Sequence, residues 1–170
     1  MVKPVLAGFV CSSVTDSFGD LILPIEQSDQ LQQAWALVIN MSGNRDALAD
    51  LIYSAFFGAS ASLEYLFVTP RAVAAFRFFT GINTFVANAG DPGRLRNFIE
   101  TLGFGHMYLD ITVPRVNIIR DAFVDLLVVE LGSKLTSAAA TGCVSLLNYI
   151  GGAQIYIKAT LIGRCLIDVV

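Results

Sequence analysis

The chain holds a single histidine, His106, and no other side chain is better placed to do chemistry. It extends an apolar series of Leu95, Phe98, Ile99 and Leu102, whose spacings of three, four and seven residues put them on one helix face. An imidazole in that setting is either a hydrogen-bonded core residue or a neutral ligand reaching haem iron from its proximal side. Haem is flat and apolar and needs an aromatic-lined slot between helices. Phe67, Phe76, Phe78, Phe79, Phe85 and Phe123 could wall such a slot, and could equally form an ordinary core. Other chemistries are thin. Asp121 and Asp125 share a helix face but read as a solvated surface rather than an acid/base pair. Gly151-Gly152 interrupts a helical run instead of following a strand, so it is no phosphate loop. A serine or cysteine nucleophile would need a neighbouring base, and the only histidine is the candidate ligand. Cys11, Cys143 and Cys165 are odd in number and widely spaced, which fits neither a disulfide framework nor a zinc site. A reducing, cytoplasmic setting is the expectation.

The elements that must position His106 are helices. Ser28-Asp29 opens a helical run through Trp35 and Ile39 that breaks at Ser42-Gly43-Asn44. Asn44 can cap the next helix by accepting a backbone N–H bond, and that helix carries Leu48, Ile52, Tyr53 and Phe57. A short helix is expected around Ser62 to Phe67. Pro70, after Thr69, then opens a long one through Val73, Phe76, Phe79, Ile82 and Val86. Gly90-Asp91-Pro92-Gly93 breaks the chain before the His106 helix. Val113-Pro114 starts the next helix, Gly132 ends it, and Thr136 or Ser137 begins the last. No strand or hairpin pattern interrupts this series. The class is all-α.

Composition narrows the partners. With 170 residues the chain is one domain by length. Charged residues make up 15% and apolar residues 55%, which excludes disorder. Eleven basic against fourteen acidic residues leave a net charge of −3 with no basic cluster, so nucleic acid is not an expected partner. The stretch from Val5 to Cys11 has one preceding positive charge and no clear cleavage site, so it does not read as a signal peptide. Leu135 to Ile157 has no formal charge, but it contains Thr136, Ser137, Thr141, Ser145, Asn148 and Gln154, which lipid would penalise. No membrane span is expected there. Its weakly charged outer face instead points to self-association, a homodimer through the last two helices. The apolar tail from Leu161 to Val170 folding back on its own core is the competing reading.

Leu102-Gly103-Phe104-Gly105-His106 resembles the Leu-Gly-x-x-His end of the proximal helix in globins, neuroglobin-like and flavohaemoglobin-like ones above all. Several further features fall in the same order and spacing. They are Asp91 and the run Leu95 to Thr101 before it, Val113-Pro114 and Glu130-Leu131-Gly132 after it, then Leu135-Thr136. Phe57 and Phe67 stand ten apart, like two family phenylalanines of which the second packs on the haem face, and Trp35 matches a first-helix tryptophan. The resemblance spans residues 28–157. It implies a globin fold of seven to eight helices in a three-over-three arrangement with an additional N-terminal helix. Residues 1–27 then form an extension and 28–170 the globin domain, the extension resembling the leading helix of globin-coupled sensors.

The resemblance also implies a ligand set. Haem b would sit on His106, with Phe67, Leu102, Leu109, Ile111 and Val116 against it. The usual distal histidine falls on Ala74 or Ala75 according to register, with Phe78 or Phe79 one turn on. Tyr53, one turn before Phe57, would aim its hydroxyl at the iron-bound ligand; the alternative is an outward Tyr53 above a dry phenylalanine pocket. Cys143 replaces the family's final-helix tryptophan, which would open a cavity or an oligomer contact. Three functions are compatible. One is reversible binding of O2, NO or CO for storage, scavenging or sensing, in the last case with a signalling domain. Another is oxidation of NO to nitrate with an external reductase. The third is a haem-free interaction module.

Overall fold

Asn44 starts the first well-marked helix by accepting a hydrogen bond from the Asp46 amide at 2.9 Å. Asp91 does the same through Arg94 N at 3.0 Å, with Pro92 in the first turn, where its missing N–H costs nothing. Thr136 accepts from the Ala139 amide at 3.1 Å. Gly43, at φ 65°, ends the preceding helix in a left-handed conformation that suits glycine. The computed structural model describes residues 18–60, 63 and 69–167, with side chains in the last helix to residue 160. Among them are six α-helices and no strand: α1 (Ile25–Ser42), α2 (Arg45–Ala59), α3 (Arg71–Ala87), α4 (Pro92–Gly105), α5 (Val113–Leu131) and α6 (Ser137–Ile167). A single 3-10 turn, Gly132–Lys134, joins the last two. The all-α expectation is met. The helix expected around Ser62 to Phe67 lies outside the described residues apart from Leu63, as does the extension before residue 18. Residues 18–24 are described and are not helical, so α1 begins three residues before the expected Ser28.

The core is built where α1 packs on α6, α2 on α3 and α5, and α6 on both α4 and α5. Phe123 sits at its centre, with its ring 5.8 Å from Trp35 and 6.4 Å from Phe56. Trp35 is fixed in turn by its indole N–H, which donates to Asn83 Oδ1 at 3.0 Å. Helices α5 and α6 approach closely at Gly151, where a Cβ would meet Val116 Cγ1 at 2.2 Å. Val116 is β-branched and stiff, so any larger residue there would drive the helices apart. Gly151 is thus a packing residue, in keeping with its failure to read as a phosphate loop. No described helix is long and apolar enough to cross a membrane. The polar residues of α6 explain this: Asn148 and Gln154 are buried against the protein.

Helices α3 and α4 are not among the extensively packed pairs. The space between them is a cavity.

Candidate functional site

His106 is the C-cap of α4. Its backbone N–H donates to Leu102 O at 3.0 Å, and its ring Nδ1 lies 2.8 Å from the same carbonyl oxygen. A carbonyl can only accept, so Nδ1 carries the proton and donates it. In the neutral ring Nε2 then keeps its lone pair. Metal-bound histidines hold their tautomer in this way, with the second nitrogen on a backbone carbonyl. Helix α6 sets the position of α4 from behind. Gln154 Nε2 donates to Ile99 O at 3.2 Å and Lys158 Nζ to Leu109 O at 2.7 Å. Between these two bonds Gly103 lies so close to Ile157 that a Cβ would meet its Cδ1 at 2.7 Å.

His106 lines a cavity of about 570 Å³, a size in the range of cofactor pockets. Helix α3 supplies one wall through Ala74, Phe78, Gly81, Ile82 and Phe85, with Phe56 of α2 beside them. Leu102 and His106 of α4 form the opposite wall, continued by Leu109, Ile111, Val116 and Ile119. Leu147, Ile150, Gly151 and Gln154 of α6 close the back. The rim is polar: Thr69, Arg77, Asp110 and Arg115, the last two joined as an ion pair. Arg120 also lines the cavity. Gln154 Oε1 is buried and has no hydrogen-bond partner.

The structure therefore gathers His106, Ala74, Phe78, Leu102, Leu109, Ile111 and Val116 around one space. The register of α3 is fixed as well. Ala74 and Phe78 line the cavity, while Ala75 and Phe79 are buried elsewhere, the latter 6.0 Å from Trp35. Tyr53 is not brought to the cavity. Its ring lies 4.1 Å from Phe57 and under the Arg71 guanidinium, 4.8 Å from its centroid. Arg71 is held over it by a two-pronged bond to Asp50 at 2.7 and 2.8 Å, which keeps that carboxyl below its ordinary pKa. Phe56, one helical position from Phe57, faces the cavity instead. Phe67 lies outside the described residues. Of the other candidate walls, Phe85 lines the cavity, Phe123 is core, and Phe76 is 59% exposed.

Other residues of the lining were missed in the sequence. Gly81 and Ile82 lie at helical spacing between Phe78 and the expected Phe85, as Ile150, Gly151 and Gln154 follow Leu147, so one fixed register would have found both faces. Arg120 gave no such signal. Asp121 is not merely a solvated carboxylate, since it accepts from Arg120 at 2.8 Å. Cys143 borders a second, apolar void of about 10 Å³ that shares Ile82, Phe85, Leu147 and Ile150 with the main cavity. Burial pushes its thiol up to about 12, so it stays protonated and is a poor nucleophile. Among the described residues no three His, Cys, Asp or Glu side chains gather around a point where a bare ion would bind. No family model matches the chain, and no curated protein is similar to it.

Proposed function

We propose that the protein is a haem-binding globin that reversibly binds O2 or another diatomic gas, with His106 as the proximal ligand of haem b. The observation that carries this reading is an imidazole committed through Nδ1 to a helix carbonyl, with Nε2 left for a ligand bond, in the wall of a large apolar cavity. The donor set supports it further. Among the described residues no three ligating side chains gather, so a metal held at His106 would bring most of its ligands with it, as a macrocycle does. The helix pairing also fits a globin: a slot between α3 and α4, closed behind by α5 and α6. When bound, haem supplies the iron position at which a diatomic gas binds reversibly.

The chain's own residues then do the rest. Leu102 holds the tautomer of His106, Val116 and Ile119 exclude water beneath it, and Ala74 with Phe78 and Phe56 shape the gas-binding side. Arg77 at the rim would be placed to meet an anionic group of a cofactor, while Arg115 is paired with Asp110. Absorption spectra of the purified full chain, ferrous and CO-bound, test the reading. A Soret band that shifts on CO binding is expected, and a colourless protein that takes up no haem would leave only the haem-free module. NO consumption by the oxy form, with a reductant supplied, separates the dioxygenase from the simple gas binder.

Tyr53 gives a second test. With its ring beneath Arg71 and the cavity wall formed by Phe56 and Phe78, Tyr53 is not among the residues that would meet a bound gas. Tyr53→Phe is expected to leave O2 and CO dissociation rates within about twofold of wild type. A lost hydrogen bond to charged O2 would instead cost about 1.5–3 kcal/mol, or roughly ten- to a hundredfold in the O2 rate alone. That larger change would return Tyr53 to the site.

A further inference from the structure

Arg120 is the one buried charged side chain among the described residues, and it lines the cavity. Its Nε and Nη2 both donate to Asp121 Oδ1, at 2.8 and 2.7 Å. Nη1 donates to Asn117 Oδ1 at 3.0 Å and to Asn148 Oδ1 at 2.9 Å. The guanidinium is thus well satisfied, but its charge is not evenly balanced. The Arg120 side chain is 7% exposed, whereas that of Asp121 is 48% exposed. Water screens the carboxylate and does not reach the cation to the same degree, so the pair leaves a net positive field on the cavity side. The other charges of the lining do not offset it: Arg77 and Asp110 are exposed at the rim, and Arg115 is paired with Asp110.

We propose that Arg120 tunes the redox state of the cavity's occupant, favouring ferrous over ferric iron in the haem that the preceding reading places there. The inference rests on that reading. One-electron reduction of Fe³⁺ to Fe²⁺ lowers the positive charge of the site by one, with the electron coming from an external donor. A buried cation stabilises the less positive state and so raises the reduction potential. The two amides on Nη1 hold the guanidinium against the wall, while the solvated Asp121 bonds it without cancelling its field. The arrangement is a positioning and electrostatic device acting on a bound group.

The test is a spectroelectrochemical titration of the full chain reconstituted with haem, with redox mediators supplying the electrons. Arg120→Met is expected to lower the ferrous-to-ferric ratio at a fixed potential about tenfold, which is ~59 mV for one electron. Arg120→Lys keeps the charge and stays near wild type. Asp121→Asn removes the counter-charge and moves the potential upward. Shifts of opposite sign at Arg120 and Asp121 are what an altered fold or increased solvent access would not produce. If Arg120→Met does not fold, Asp121→Asn decides alone, and an unchanged or lowered potential there overturns the proposal. Haem uptake with equal potentials throughout overturns it while leaving the haem reading intact. A wild-type chain that takes up no haem overturns both.

Discussion

His106→Ala abolishes stoichiometric haem retention, and added imidazole restores it. This is the expected result, and it follows from the division of labour between the two ring nitrogens. Only Nε2 is free to ligate, since Nδ1 donates to Leu102 O at 2.8 Å. The alanine variant loses that one hydrogen bond, worth about 1 kcal/mol. The bonds that end α4 run from the backbone N–H of His106 to Leu102 O and Gly103 O, and they persist in the variant. Helix content and unfolding midpoint are therefore expected to stay near wild type while the ligand bond disappears. Free imidazole can fill the vacated space and present its own nitrogen. Haem titration monitored by absorbance, with and without imidazole, reads both parts. Unchanged haem binding and an unchanged spectrum in His106→Ala would remove the residue from the site.

The second large effect concerns stability. Phe123→Ala deletes a ring that is 1% exposed and lies between Trp35 and Phe56. Such a truncation costs about 3–5 kcal/mol, because the removed atoms lose their burial and the neighbours do not fully collapse into the space. For a chain of this length the melting midpoint falls on the order of 10 °C. Phe123 also borders the small void beside Cys143, and that void shares its walls with the main cavity. Phe123→Leu, which retains much of the volume, is expected to lose much less. Thermal unfolding followed by circular dichroism measures both variants, and a midpoint for Phe123→Ala within about 2 °C of wild type would show that the core closes over the gap.

Much of this fold was legible in the residues. Asn44 and Thr136 announce helix starts through local chemistry and do what their types dictate, whereas Asp91-Pro92 reads as a break and proves to be the start of α4 itself. His106 was legible only as a candidate, since an imidazole ending an apolar stripe reads equally as a hydrogen-bonded core residue, and it took the fold to set it in a cavity wall. The side that faces α3 was harder. Ala74 and Ala75 are both buried, so burial alone does not choose between them, and only the packing of Phe79 on Trp35 settles the rotation of the helix. Tyr53 was placed by counting along one helix, but its ring is covered by Arg71, which comes from α3 and is held there by Asp50, a contact that counting along α2 does not see. Arg120 and Gln154 were illegible because a buried polar residue on an apolar stripe looks like an interruption until its partners are known.

The anchoring of α4 has a mechanical consequence. Leu102 O is shared between the amide and the ring of one residue, so His106 moves only with the end of its helix. Ile99 and Gly103 are held against α6 on one side of that end, and Leu109 on the other. Gly105 between them has no atom within 4 Å of a Cβ position, and Phe104 is 61% exposed. A pull on the imidazole is therefore taken up within a single turn, Phe104 to His106, and the body of α4 stays still. Displacement at His106 is thus short in stroke and is not handed on to α6, whose bonds fall on residues at either end of that turn.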